Sequence, residues 1–348
     1  MMKLLSSTLV TKTLPTSAPT WQQRIKALLP WFFCALIFYY LLRQVPPREV
    51  ADALKLANVP LLFFYGLVYF LVVFIIDGYA LKHFIGRFAT PVSFRELSIV
   101  RGVSYLMMII NYAAAQGALA VYLKKTHNAG VAKTLGTLFL MSLTDILLVF
   151  TSALLALSYA ETMTNFHGLN LRSIAFKTVP LLYLGFILWI LFWKNIHRPF
   201  IVNLKRFRLV HWLLEHDLFL IFREATLKDY LVLFACRAPL LVLIIASFEF
   251  ALMAFHSSID WLWIFLYNPI AMFLTALPLT PAGLGTGQFL MIEFFEHLIK
   301  SPLIDQGLST SQNLLFTSSL AWGLINQFYK AIFGLICLSK TSKKSSVL

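Results

Sequence analysis

The sequence predicts an all-α integral membrane protein with about eight hydrophobic segments. The chain has 348 residues, of which 59% are hydrophobic and only 13% are charged, a composition outside the range of ordinary soluble domains. Several apolar runs approach the roughly 20 residues that a helix needs to cross a bilayer. We therefore expect about six full transmembrane helices and two shorter helical hairpins that enter the membrane and return to the same side.

The net charge of +14 does not predict a nucleic-acid partner. The basic residues lie in short segments between the apolar runs, a distribution typical of membrane orientation rather than of a nucleic-acid surface. Three isolated cysteines, Cys34, Cys236 and Cys337, lie within apolar runs and lack the spacing of a disulfide framework or a metal site. We expect neither a metal nor a cofactor.

The chain begins with a polar segment and continues as one membrane domain. Residues 1–26 are predicted to form a disordered cytoplasmic tail. The apolar run Ala27–Leu42 is followed by Arg43 and lacks a small-residue cleavage pattern, so it predicts an uncleaved first span. Residues 27–340 are expected to form a single polytopic transmembrane domain, and residues 341–348 a short basic cytoplasmic tail.

Five further spans and two amphipathic helices follow the first span. An interfacial helix is predicted at Arg48–Asn58, where charged and apolar residues alternate at helical spacing. A second amphipathic helix is predicted after the basic segment Lys194–Arg208, ending at about Lys228. The five spans are predicted at Pro60–Phe84, Leu135–Ala160, Val179–Phe192, Tyr230–Phe255 and Leu314–Leu338.

The positions of the basic residues predict two re-entrant hairpins. Cytoplasmic loops are enriched in Lys and Arg, so the chain between Arg101 and Lys124 must leave the cytoplasm and return to it. By the same count, the chain between Asp260 and Lys300 must leave the outside and return there. The alternative is that one or both hairpins are ordinary crossings with polar kinks. The predicted tips contain Asn111, Gln116 and Gly117 in the first hairpin, and Pro278, Pro281, Gly283, Gly285 and Gly287 in the second.

The same order of elements occurs twice with opposite orientation. Residues 60–160 and residues 230–338 each contain a span, a hairpin and a second span. Inverted repeats with broken helices that meet near the midplane are a transporter architecture. With the basic loops in the cytoplasm, both termini are cytoplasmic, and we expect the protein in the cytoplasmic (inner) membrane of a prokaryote.

The break in the second hairpin carries a motif. Residues 277–285, Leu-Pro-Leu-Thr-Pro-Ala-Gly-Leu-Gly, resemble the Pro-x-x-Pro-Gly-Gly-Leu-Gly signature of the lysylphosphatidylglycerol synthase transmembrane (flippase-like) family. The layout of the chain is similar to that family from Trp31 to Leu338. The resemblance implies an integral membrane domain associated with movement of lipids between leaflets, or with modification of envelope lipids or polysaccharides.

The chain departs from the family pattern in three respects. The soluble aminoacyl-transferring domain of some members is absent, so lysyl transfer to phosphatidylglycerol is not expected. Gly287 and Gln288 occupy the positions where the motif usually continues with an Arg-Glu pair. The first hairpin has Ala115 and Gln116 in place of a proline and an acidic residue. If those charges hold a lipid headgroup in relatives, this protein holds its ligand differently.

Polar side chains inside the apolar spans are the candidate binding residues, because such groups are costly in a membrane and usually face the bundle interior. Arg237 is expected to attract a phosphate through its planar fork, with Asp145 or Glu249 balancing its charge. Gln288 is expected at a helix N-terminus, where anions are favoured. The alternative is structural ion pairing and interfacial snorkelling. The candidate cavity also contains the amides Asn268 and Asn326.

Other polar residues are set aside as binding candidates. Asp77 lies close to Lys82 and to the expected membrane surface, and Lys330 is expected to snorkel toward the cytoplasm. Three residues have metal-ligand spacing on one helical face: Glu293, Glu296 and His297. They lie near a helix end, so a solvated helix face at the membrane surface is the simpler interpretation. The sequence contains no phosphate loop, nucleophile elbow or zinc motif.

These features predict a non-enzymatic membrane protein that translocates or flips a phospholipid or a lipid-linked substrate across the cytoplasmic membrane. Its expected partners are membrane lipids, anionic ones in particular, and an envelope-biosynthesis enzyme. The alternative is a non-catalytic membrane subunit, or acceptor-binding partner, of an envelope glycosyltransferase or lipid-modifying enzyme. Such a subunit needs the helices but not a polar cavity that opens to alternate sides.

Overall fold

A computed structural model describes residues 39, 43, 46–108, 112–159, 165–166, 169–195, 211–212, 216–276 and 285–345. The predicted N-terminal tail and nearly all of the predicted first span lie outside these residues. So do four predicted tip residues, which are Asn111, Pro278, Pro281 and Gly283.

The described chain is helical apart from one short β pairing. β1 (Asn165–Phe166) and β2 (Leu169–Asn170) are antiparallel, with Asn165 opposite Asn170. A 3₁₀ turn covers Asp217–Phe219. The described helices are α1 Pro47–Leu56, α2 Val59–Phe88, α3 Phe94–Met108, α4 Tyr112–His127, α5 Val131–Tyr159, α6 Leu171–Lys194, α7 Leu220–Glu224, α8 Leu227–Ala254, α9 Trp261–Ala276, α10 Thr286–Phe295, α11 Pro302–Asp305 and α12 Ser311–Ser345.

Five of the described helices are long and apolar enough to cross a membrane: α2, α5, α6, α8 and α12. They correspond to the five spans predicted after the first, and the chain is an integral membrane protein. α6 begins well before the predicted Val179, because the Asn170 side chain accepts a hydrogen bond from the Ser173 amide and caps the helix. The predicted interfacial helix corresponds to α1, which begins with Pro47.

Three sequence-based boundaries are wrong. The amphipathic helix expected to reach Lys228 ends at Glu224, because Thr226 and Asp229 form a reciprocal capping box that starts α8. The last helix continues beyond the predicted end of the last span at Leu338 and reaches Ser345. Gln116 lies inside α4 and not in a hairpin tip, as does Gly117.

Ion pairs and hydrogen bonds gather the helix ends into two groups. In the first group, Glu96 contacts His127 at 3.3 Å, and further contacts join the ends of α2, α5, α7 and α8. We call the ends at residues 87–96, 124–133 and 224–229 the basic face. The further contacts are Arg87–Asp229 at 3.5 Å and Lys133–Glu224 at 3.9 Å.

The second group of helix ends lies at the other end of the long helices. The Asn58 amide donates to the Ala254 carbonyl at 2.8 Å, and Ser258 and Lys300 form a two-way backbone bridge. The Asn313 side chain donates to the Glu49 carbonyl at 2.9 Å. We call these ends, at residues 49–58, 254–260 and 300–313, the neutral face.

In each of two pairs of shorter helices, the first helix begins at the face where the second helix ends. α3 and α4 have 15 and 16 residues, pack against each other and have their outer ends at the basic face. α9 and α10 have 16 and 10 residues, and their outer ends meet at the neutral face. At a rise of about 1.5 Å per residue, each of these helices is shorter than the roughly 30 Å hydrocarbon core.

Glycines bring α3 and α12 into close contact. A Cβ atom on Gly102 would clash with the Cys337 sulfur and lie 2.8 Å from the Phe333 ring. A Cβ atom on Gly334 would lie 2.7 Å from Leu106. Small residues at such crossings let helices pack closely in membranes, where the hydrophobic effect between helices is weak. This packing fixes α3, which carries a site residue described below.

We predict that Gly102→Ala destabilises the protein by about 1–3 kcal/mol, because the added methyl group forces α3 and α12 apart. The apparent melting temperature of the detergent-solubilised protein measures this effect. Gly323→Ala is the matched control, since a Cβ atom there has nothing within 4 Å and alanine favours helix. Equal melting temperatures for the two variants would contradict the prediction.

Candidate functional site

Four helices bring ionised side chains together in the middle of the bundle. Asp77 lies on α2, Arg101 on α3, Asp145 on α5 and Arg237 on α8. From the helical rise, their positions are roughly 10–21 Å from the helix ends at the basic face. α2 runs toward that face, and the other three helices run away from it. A residue late in α2 therefore lies at a depth similar to that of residues early in the other three helices. We call the four residues the ion quartet.

Arg237 forms the centre of the ion quartet. Its Nη1 donates to Asp77 Oδ1 at 2.6 Å, and its Nε donates to Asp145 Oδ1 at 2.6 Å. Its Nη2 donates to the second oxygen of Asp145. The guanidinium therefore binds Asp145 through two parallel hydrogen bonds, the fork geometry in which arginine holds carboxylates and phosphates most strongly.

Asp77 joins the two arginines. Its Oδ2 atom accepts from Arg101 Nε at 3.0 Å and lies 2.8 Å from Arg101 Nη2. The Arg101 guanidinium also lies over the Tyr105 ring, 5.6 Å from its centre. Each arginine thus has a carboxylate partner, and the formal charge of the quartet is zero.

Three members of the quartet are buried, and the fourth is partly accessible. The side chains of Asp77, Arg101 and Arg237 are only 8–10% exposed, whereas the Asp145 side chain is 38% exposed. An ionised carboxylate facing lipid at this depth would be costly. The accessible edge of Asp145 therefore indicates a polar space beside the quartet.

A fifth charge, Lys330 on α12, approaches the quartet from the side of Arg101. Its ammonium group is close enough to Arg101 for electrostatic repulsion. Within the described ranges, no hydrogen bond or ion pair of Lys330 occurs, and its side chain is partly buried. Lys330 makes this side of the bundle interior positive.

The structure brings together Arg237 and Asp145, as the sequence predicts, but it places Glu249 elsewhere. Glu249 is twelve residues from Arg237 on the same helix, which corresponds to roughly 18 Å. Its Oε2 atom accepts a hydrogen bond from the Ile259 amide at 3.1 Å. Glu249 therefore holds the turn between α8 and α9, and it cannot balance the charge of Arg237.

The three candidate amides also have local partners. Asn268 donates to the Ile245 carbonyl at 2.9 Å, which ties α9 to α8. Asn326 donates to the carbonyl of Trp322, one turn earlier in its own helix, at 3.0 Å. Gln288 accepts from the Gly285 amide at 2.7 Å and so caps the start of α10. None of these contacts joins the ion quartet.

Two glycines of the second hairpin tip lie within the described residues and differ in role. Gly285 has φ 84°, a conformation that favours glycine, and it precedes α10. A Cβ atom on Gly287 would be 3.6 Å from the Thr275 side chain, an ordinary contact. Close helix packing therefore does not require glycine at position 287, whereas the backbone conformation favours it at position 285.

Two members of the quartet are missed by sequence reasoning. Asp77 is set aside because the second span is predicted to end at Phe84, whereas α2 continues to Phe88 and leaves Asp77 well inside. Arg101 is grouped with the polar start of the first hairpin, although it is buried on α3. The available signal for Asp77 is its position within an apolar run, where a charge needs a partner of opposite sign; Arg101 lies in a polar segment and carries no such signal.

Metal ligation has no geometric basis in the described part of the chain, where no three His, Cys, Asp or Glu side chains are placed to hold an ion. Of the residues with metal-ligand spacing, Glu296 accepts a hydrogen bond from the Gln312 side chain at 2.8 Å.

Five long apolar helices, two pairs of short helices and a neutral quartet of charges define a polytopic helical membrane protein with a polar centre. The family model described as "Lysylphosphatidylglycerol synthase TM region" matches residues 26–317. The chain belongs to this family, as its motif in the second hairpin predicts, and the match includes the whole ion quartet. A search of curated proteins finds no match.

We predict that Arg237→Met destabilises the fold by about 3–5 kcal/mol, the usual cost of leaving a buried ionic partner uncompensated. The double variant Arg237→Met/Asp145→Asn should recover part of this loss, because it removes the carboxylate that Arg237 neutralised. Unfolding in a denaturant titration measures both effects as a double-mutant cycle.

The matched control is Arg95→Met, since Arg95 is exposed on α3 and should tolerate the same change with little effect. An Arg237→Met variant as stable as Arg95→Met would show that the quartet contributes nothing to stability.

Proposed function

We propose that the protein translocates a phospholipid or a lipid-linked substrate between the leaflets of a membrane. The observation that carries the proposal is the accessible Asp145 edge of an ion quartet in the middle of the bundle. A polar space at that depth has little structural purpose, because a bilayer-embedded core of apolar side chains would be simpler to build. A passage for a headgroup requires such a space.

The chemistry of the quartet favours a phosphate-containing headgroup. Arg237 presents a planar guanidinium whose fork matches the two oxygens of a phosphodiester. Arg101 bonds the same carboxylate, Asp77, that Arg237 bonds. Lys330 adds a further positive charge on the α12 side. Anionic lipids are therefore the substrate class that we propose. The described residues supply no catalytic group to this mechanism, and we propose no catalytic step.

We further infer that the α3–α4 and α9–α10 pairs are re-entrant hairpins of an inverted repeat. Each pair has its outer ends at one face, and its helices are too short to cross. α2, α3–α4 and α5 have the same order as α8, α9–α10 and α12 but the opposite direction. With the predicted first span at 27–42, this gives six full crossings.

The orientation that we propose places the basic face in the cytoplasm, in the cytoplasmic membrane of a prokaryote. Lys and Arg residues are concentrated at that face and are sparse at the neutral face. The C-terminus is then cytoplasmic, because α12 ends beside the start of α3, and the predicted first span at 27–42 places the N-terminus on the same side.

We predict that Arg237→Gln lowers the rate of lipid translocation at least tenfold. Charge-assisted hydrogen bonds contribute about 1.5–3 kcal/mol, and 1.4 kcal/mol corresponds to a factor of ten. The measurement is the movement of fluorescent phosphatidylglycerol in proteoliposomes, with Arg95→Gln as the matched control. Arg237→Lys retains the charge without the fork, and it serves as the test if Arg237→Gln does not fold.

Unchanged translocation in a folded Arg237→Gln protein would contradict phosphate recognition by the quartet. An absence of translocation in the wild-type protein would instead favour the role of a non-catalytic membrane subunit of an envelope enzyme.

We predict that single cysteines at positions 95 and 124 are labelled from one side of the membrane, and those at 260 and 305 from the other. The native residues at all four positions are exposed, so an impermeant thiol reagent added to oriented vesicles can reach them. Labelling of positions 95 and 124 from opposite sides would show that the first pair is a full crossing. The pair 260 and 305 gives the same test of the second.

A further inference from the structure

Asp145 accepts hydrogen bonds from the two guanidinium nitrogens of Arg237 that a phosphate would need. Both oxygens of its carboxylate accept hydrogen bonds from Nε and Nη2 of the guanidinium. A phosphodiester binds arginine through the same two donors. Of the three donors that remain, one on Nη1 bonds Asp77 at 2.6 Å. A headgroup can therefore bind the fork formed by Nε and Nη2 only when Asp145 leaves it.

The two carboxylates of the quartet differ in their ability to leave. Asp77 accepts hydrogen bonds from both arginines, and its side chain is 8% exposed. Asp145 bonds only Arg237 within the described residues, and its side chain is 38% exposed. Displacement of Asp77 would leave two arginines without a counter-ion, whereas displacement of Asp145 affects one. Asp145 is therefore the exchangeable partner.

Charge balance then constrains the exchange. The quartet is neutral with Asp145 ionised, and entry of a phosphodiester would bring its charge to −1. A net charge in a low-dielectric interior costs several kcal/mol per ion. If the displaced Asp145 takes up one proton from water, the charge gained with the phosphate is cancelled and the site is neutral before and after exchange.

Few other groups can balance the incoming charge. Among the described residues, the charged groups that act on Asp145 are Arg237, Asp77 and Arg101. α9 packs along α5 and has no charged residue, and the charges of α4, α6, α7 and the 3₁₀ turn lie toward their helix ends at the faces. Lys330 on α12 interacts electrostatically with Arg101 but is not among the charges that act on Asp145. Two titratable carboxylates bond Arg237. Asp77 is held by two cations, whereas Asp145 is held by Arg237 alone.

We propose that Asp145 is a displaceable counter-ion that couples the binding of one phosphodiester anion to the uptake of one proton. This inference rests on the proposed function for its ligand. In the exchange, Arg237 gives up two hydrogen bonds to the carboxylate and donates the same two to phosphate oxygens. The freed carboxylate becomes a neutral carboxylic acid with a proton from water. A headgroup entering from the more acidic side of a membrane is then favoured, which supplies a driving force without a nucleotide motor.

The experiment is calorimetric titration of the purified full-length protein in detergent, repeated in buffers of different ionisation enthalpy, which gives both Kd and the number of protons bound. The probes are dihexanoylphosphatidylglycerol and its headgroup alone, glycerophosphoglycerol, since neither titrates near neutral pH. Binding of both indicates that the phosphodiester suffices, and binding of the lipid alone indicates that the acyl chains are also needed.

For the wild type we expect uptake of about one proton per bound phosphodiester, and an affinity that falls about tenfold per pH unit as pH rises, as proton linkage requires. Asp145→Asn keeps the shape without the charge, so it should bind more tightly, take up no proton and lose the pH dependence. Asp260→Asn is the matched control, because Asp260 forms an exposed pair with Lys300 at the neutral face; it should behave as the wild type.

Binding to the wild type without proton uptake would overturn the proposal, as would proton uptake retained in Asp145→Asn or the absence of binding by both probes. If Asp145→Asn does not fold, the wild-type proton number alone decides. Failure of the proposed function has a different signature: proton-linked binding without translocation in vesicles would refute translocation and leave the exchange intact.

Discussion

Neutralisation of Arg237 within the membrane is the constraint on which the arrangement of helices depends. A guanidinium at this depth must reach carboxylates, and the sequence supplies them on two other helices. Asp77 on α2 and Asp145 on α5 both lie within 2.6 Å of Arg237. The depths and rotations of α2, α5 and α8 are therefore linked, since a shift of one helix by a single turn would leave a buried charge without a partner.

The same constraint accounts for the position of the first hairpin. Asp77 has a second oxygen to satisfy, and Arg101 on α3 does so. α3 can carry this arginine to the middle of the bundle because Gly102 allows α12 to pack against the adjacent position. A short helix that does not cross is thus held on one side by a buried ion pair and on the other by close backbone packing.

The sequence predicts the helices better than the contacts between them. Apolar runs identify α2, α5, α6, α8 and α12, because hydrophobic length is a property of each segment alone. The pairing of Asp77 with Arg237 joins residues 160 positions apart, and no local pattern contains it. Glu249 resembles Asp145 as a carboxylate in an apolar run, yet the structure uses it to accept the Ile259 amide. Glu249 lies on the same helix as Arg237, roughly 18 Å along its axis, so it cannot reach the guanidinium. Whether Asp145 does so depends on the rotation of α5 against α8, which only packing determines.

The anion-binding site that we propose inside the membrane has an electrostatic difficulty, and the composition of the quartet resolves it. An arginine held ready for a phosphate would be a bare charge while the site is empty, and its desolvation would oppose folding. A resident carboxylate removes that cost, but it also competes with the ligand for the same donors. The competition is tolerable only if the carboxylate can become neutral when displaced. The shared, buried Asp77 is unsuited to this, whereas the accessible Asp145, with its single arginine partner, can serve both as counter-ion and as proton acceptor.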